Sequence, residues 1–99
     1  MINQTYSSAS VYLTADNNVG GGKPTRVFTV CVLSGEAPGA VVLKNGTTDA
    51  GTIYFSRAGD ASKSTIFDFG GEGILFPDGL FYDHDAGNTS VLITCARGI

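Results

Sequence analysis

Ninety-nine residues suffice for one domain and not for two, and only 15% of them are charged, against roughly 25% in an ordinary soluble domain. A net charge of −3, with six Lys plus Arg scattered singly, excludes a phosphate-backbone binder, because no basic stripe exists to displace counterions. The start, Met1-Ile2-Asn3-Gln4-Thr5-Tyr6, lacks the regions of a signal peptide, and no apolar stretch approaches the roughly 18 residues of a membrane span, so synthesis in a cytoplasm without membrane insertion is expected.

Taken in chain order, residues 1–10 are polar and predict a flexible N-terminal arm that orders only against something else and in which a short strand can begin, with a single domain over 11–99. Val11-Tyr12-Leu13 is apolar but brief, and Asp16 to Pro24, with three consecutive glycines, predicts a long turn. Arg26 to Ser34 is the clearest strand and is expected to be central, since β-branched and aromatic residues occupy both alternating sets of positions. The turn Gly35 to Gly39 leads into Val41-Val42-Leu43-Lys44, closed by Asn45-Gly46, and these signals predict an antiparallel meander.

Thr52 to Phe55 predicts another strand, and Ser64 to Phe69 a further one with one wet face, Ile66 and Asp68 opposing Thr65, Phe67 and Phe69. Ile74-Leu75-Phe76 and Leu80 to Asp83 are short strands around the corner Pro77-Asp78-Gly79. After the loop from Asp83 to Asn88, Thr89 to Ala96 reads as a second central strand. No helical periodicity exceeds about two turns. The fold class is therefore all-β, a single small antiparallel β-sandwich or jelly-roll-like barrel of about seven or eight strands.

Chemistry is sparse. Cys31 and Cys95 lie in apolar runs and are expected as buried, reduced thiols, although neighbouring strands would permit a bridge. His84, between Asp83 and Asp85, is expected to be solvated at a loop tip. Asp83, Asp85, Gly87 and Asn88 echo the opening of a calcium loop, but its closing position falls on Thr94. Glu36, Asp60, Asp68, Glu72 and Asp78 are isolated carboxylates with turn chemistry, and Gly20-Gly21-Gly22-Lys23 lacks the spacing and the helix of a phosphate cradle. Tyr54, Phe55, Phe67, Phe69, Phe76, Phe81 and Tyr82 are expected in the core or at subunit contacts, with Tyr12 and Tyr82 the exposed pair. No catalytic, cofactor-binding or metal-binding residue is assigned, and no enzyme is expected. The apolar surplus instead predicts a homo-oligomer with contacts through Tyr6, Tyr12, Ile74, Leu75, Phe76, Leu80, Phe81 and Tyr82.

Arg26-Val-Phe-Thr-Val-Cys-Val-Leu-Ser-Gly35, Ala40-Val-Val-Leu-Lys-Asn-Gly46, Gly51-Thr-Ile-Tyr-Phe55, Phe67-Asp-Phe69, Ile74-Leu-Phe-Pro-Asp-Gly-Leu-Phe-Tyr82 and Thr89-Ser-Val-Leu-Ile93 together resemble small virion proteins of tailed bacteriophages, especially marine and cyanobacterial ones. The likeness covers residues 24 to 95, and its most distinctive piece is the Phe-Pro-Asp-Gly-Leu corner. It implies a non-enzymatic structural protein of the virion, a capsid decoration or cement protein on the phage head that binds the major capsid protein and copies of itself, for example as a trimer, with no cofactor, nucleic acid, membrane or small-molecule substrate. A tail, neck or baseplate component, or a carbohydrate-binding module using Tyr12, Tyr54 or Tyr82, is the alternative. The two cysteines and the polar first ten residues depart from the pattern.

Overall fold

The structure is a computed structural model that describes residues 6–98, with side-chain placement from Ser10 to Arg97. Its elements, in chain order, are β1 (Tyr6–Leu13), β2 (Asn17–Asn18), β3 (Thr25–Ser34), β4 (Ala40–Asn45), β5 (Thr52–Ala58), β6 (Ser64–Asp68), β7 (Ile74–Phe76), β8 (Leu80–Asp83) and β9 (Asn88–Gly98). The described residues contain no helix.

One sheet runs β1-β9-β3-β6, with β7 also paired to β3; the other runs β2-β8-β4-β5. All pairings are antiparallel. Thr29 to Leu33 of β3 pair with β6 and Thr25 to Val27 with β7, so β6 and β7 act as one strand interrupted at Gly70 to Gly73. Counted that way the described residues form eight strands, and the first pairs with the last, the second with the seventh, the third with the sixth and the fourth with the fifth. That nesting is a long hairpin rolled over on itself, a jelly roll of two packed sheets.

The interruption has a local cause. A bulge between Val27 and Thr29 of β3 shifts its register, so the inward set changes from Thr25 and Val27 to Val30, Val32 and Ser34. Phe28, the extra residue, offers its carbonyl to the Phe69 amide at 2.9 Å. Opposite this bend the chain must pass close to β3: a Cβ on Gly73, whose φ is +66°, would collide with the Val27 carbonyl. The bulge brings apolar residues of both alternating sets of β3 to the core, Val27 from one and Val30 and Val32 from the other, while Cys31 and Leu33 face out.

Val27, Val30, Val32, Val91 and Ile93 of one sheet meet Val41, Leu43, Leu80 and Tyr82 of the other, with Phe76 and Leu13, in a single core. Phe55 fits edge-on between Phe67 and Phe69, with ring centroids 5.2 and 4.9 Å away, sealing the side where β5 approaches β6.

Three local expectations change. The meander does not form, because β3 and β4 belong to different sheets and the Gly35 to Gly39 segment bridges them, with the Gly35 amide bonded to the Gly87 carbonyl at 2.9 Å. Asn45-Gly46 is not a two-residue turn: Asn45 ends β4 and residues 46–51 form a longer loop. There the Asn45 side chain accepts from the Asp78 amide and donates to the Asp78 carboxylate, both at 2.9 Å, fastening the corner where β7 crosses to β8. Finally, residues 6–10 of the expected arm are the first part of β1, paired residue by residue from Tyr6↔Gly98 to Leu13↔Val91, because the eleven-residue β9 offers a template that long. Residues 1–5 lie outside the described residues.

Candidate functional site: an apolar sheet face

Antiparallel partners point to the same side of a sheet. In β1-β9-β3-β6 the register sets Tyr12 opposite Leu92, Leu92 opposite Cys31, and Cys31 opposite Ile66. Their chain neighbours Leu13, Val91, Ile93, Val30 and Val32 are buried inside, so this row lies on the outer face. Tyr12 is 66% exposed, Leu92 41% and Ile66 68%, with Cys31 half-buried between them.

The rows on either side are small and mostly uncharged. One is Ser10, Thr94, Thr29 and Asp68; the other holds Leu33 between Ser90 and Ser64. Further along, Arg26 stands between Ala96 and Leu75, and its guanidinium is tied to the Glu72 carbonyl at 2.8 Å. Among the described residues, five of the seven large exposed apolar side chains are on this face: Tyr12, Leu33, Ile66, Leu75 and Leu92. The other two, Ile53 and Tyr54, are on the edge strand β5. The row from Tyr12 to Ile66, apolar and free of charge along its length, suits an interaction surface.

The outer face of the second sheet differs. Lys44 Nζ donates to Asp83 Oδ2 at 2.9 Å and to the Asp49 carbonyl at 2.7 Å, and Phe81 lies half-buried between Lys44 and Asn18. Two charges fixed on this face would have to be desolvated by any apolar partner.

The eight residues expected at contacts therefore separate. Tyr12 and Leu75 are exposed on the apolar face, while Ile74 and Phe81 are half-buried. Phe76, Leu80 and Tyr82 have no exposed surface; they are core, because the corner passes from one sheet to the other and points its apolar side chains into the gap. The Tyr6 side chain lies outside the described residues. Sequence reading missed Leu33, Cys31 and Leu92 as surface groups. Alternation does mark Ile66 as opposing Phe67, but the alignment of these residues across strands is a property of register alone.

At one end of the sandwich, Tyr82 and His84 form a polar contact. The Tyr82 hydroxyl is 2.8 Å from His84 Nδ1, and the His84 amide donates to Asp16 Oδ1 at 2.6 Å. His84 is thus half-buried and engaged, not solvated, because a buried phenol needs a partner. Burial, followed by the nearby Asp16, Asp83 and Asp85 charges, pushes the Tyr82 phenol up to about 12, so it holds its proton and serves as a structural hydroxyl. Asp85 Oδ1 accepts from the Gly87 amide at 2.7 Å, closing its own loop. Among the described residues no three His, Cys, Asp or Glu side chains converge as metal ligands.

Cys31 and Cys95 sit on the neighbouring strands β3 and β9, yet Cys95 is opposite Val27 and faces the core whereas Cys31 faces out. Both are free, and the expected burial holds for Cys95 only. Burial raises the Cys95 thiol pKa, against a smaller lowering by Arg97. The three tyrosines of a sugar platform do not assemble: Tyr12 is on one sheet's outer face, Tyr54 leans on Phe76 at 5.2 Å, and Tyr82 is core. No protein-family model matches this chain, and neither does any curated protein or solved structure.

Proposed function

We propose that this chain is a non-enzymatic structural protein of a tailed-phage particle, a decoration or cement protein on the head, which acts by burying β surface against copies of itself and larger neighbours. The observation that carries the reading is the register-aligned row Tyr12, Leu92, Cys31 and Ile66, an apolar strip spanning all four strands of one sheet. Its burial in an assembly stabilises the assembled state alone, which is how a cement protein acts. The jelly roll supports the reading weakly, because that fold serves capsid domains and lectins alike. The resemblance of residues 24–95 to small virion proteins supplies the particle.

Quantitative mass spectrometry of purified particles tests this. On the order of hundreds of copies per particle supports a position on the shell, and roughly a dozen moves the protein to tail or neck. Absence from particles, together with turnover of a compound by the purified chain, overturns the proposal.

A further inference from the structure

We propose that the occupant of the apolar face is a second copy of this chain, packed sheet against sheet about a two-fold axis that runs parallel to the strands through the middle of the row. This rests on the reading of the face as an assembly surface and names its partner.

Size comes first. Four strands at about 4.8 Å spacing, over the eight or so residues between the Leu33 and Arg26 rows, give roughly 500 Å² per copy. The pair would bury about 1,000 Å², the lower bound of a specific interface. Charge comes second. A two-fold axis parallel to the strands exchanges β1 with β6 and β9 with β3 across the interface. Tyr12 then meets Ile66 of the second copy, and Leu92 meets its Cys31, so a large side chain lies against a medium one and a medium against a small one. The charged residues of these rows, Asp68 and Arg26, fall opposite Ser10 and Ala96 respectively. Neither charge meets its own kind, so the face is compatible with itself. Sheets packed with strands nearly aligned are a normal arrangement of two β layers.

The opposed Leu92 and Cys31 give a register-specific test by sedimentation equilibrium of the full chain. The native protein is expected to dimerise, and Leu92→Asp or Cys31→Lys alone to weaken dimerisation about tenfold or more, since each places a charge against apolar surface. Mixing the two variants is expected to restore a dimer, because the carboxylate introduced in one copy then faces the ammonium introduced in the other. Ile66→Lys, at the exposed end of the row, is the independent variant that need not disturb folding; it too is expected to be monomeric, with the thermal midpoint that the native protein shows at dilutions where it is a monomer. Alkylation of Cys31 in the native protein is expected to slow as concentration rises. A native protein that stays monomeric at every concentration overturns the proposal, and so does a dimer indifferent to Leu92→Asp and Ile66→Lys. A mixture that fails to restore the dimer overturns the two-fold arrangement. Co-sedimentation with phage heads separates the two readings: a monomer that binds heads and loses them on Ile66→Lys sinks the self-pairing and leaves the proposed function standing.

Discussion

The outer face of β1-β9-β3-β6 sets Tyr12, Leu92, Cys31 and Ile66 in one uncharged row, whereas the outer face of β2-β8-β4-β5 sets Lys44 against Asp83 beside a half-buried Phe81. Both sheets are made by the same alternation of inward and outward residues. They differ in what the outward set is made of, and that decides what each face can do. An ion pair that keeps part of its water is stable where it is and expensive to cover. An apolar row has nothing to lose on being covered and gains by it. One outer face thus carries an ion pair held within the chain, and the other leaves Tyr12, Leu92 and Ile66 open to solvent.

The sharpest way to separate packing inside the sandwich from exposure outside it is Phe76→Ala. Phe76 is fully buried and supports Tyr54, so its truncation is expected to destabilise by about 3 to 5 kcal/mol, read as a lower urea midpoint with an unchanged slope.

Gly73→Ala tests the bend that divides β6 from β7. With a positive φ and the Val27 carbonyl in the way, a loss of about 1 to 3 kcal/mol is expected in the same denaturation measurement. A neutral result would mean that the bulge yields easily and does not hold the row in register.

Alkaline pH probes the end of the sandwich near Tyr82. The folded phenol, pushed up to about 12 from an ordinary 10.0, holds its proton more tightly than the unfolded one. Its contribution to stability is complete below pH 10 and is lost as pH rises toward 12, so thermal midpoints are expected to fall across that window. Tyr82→Phe should flatten that part of the dependence; an unchanged slope would reject Tyr82 as its source.

Smaller effects belong to the two outer faces. Lys44→Met removes the partner of Asp83 and is expected to lower stability by about 1 kcal/mol or less, because the pair is partly solvated. Leu92→Ser is expected to change monomer stability by no more than about 0.5 kcal/mol while weakening association. A large loss of monomer stability on Leu92→Ser would blur the contrast between the faces, since it would make that side chain part of the chain's own packing.

Much of the strand content is legible residue by residue. The apolar runs from Arg26 to Ser34 and from Thr89 to Ala96 lie within β3 and β9, both flanked by strands on each side, and the wet face of Ser64 to Asp68 follows from its alternation. The candidate site is legible only in part. Tyr12 and Leu75 stand among the expected contacts, but Phe76, Leu80 and Tyr82 stand with them because an apolar run at a corner looks the same whether it turns inward or outward. Leu92, Cys31 and Ile66 come from three strands far apart in sequence, and nothing local relates them.

Alternation with period two, the low charge and the turn residues are carried by neighbours along the chain, and they determined that this protein is all β with one core. Which strands pair, and in which register, depends on contacts between residues dozens of positions apart, and the bulge after Val27 shifts the inward set by one residue partway along β3. Only the tertiary structure could therefore decide that β1 and β9 pair in a jelly roll, that the corner after Phe76 crosses between sheets, and that four separated apolar residues line up on one outer face.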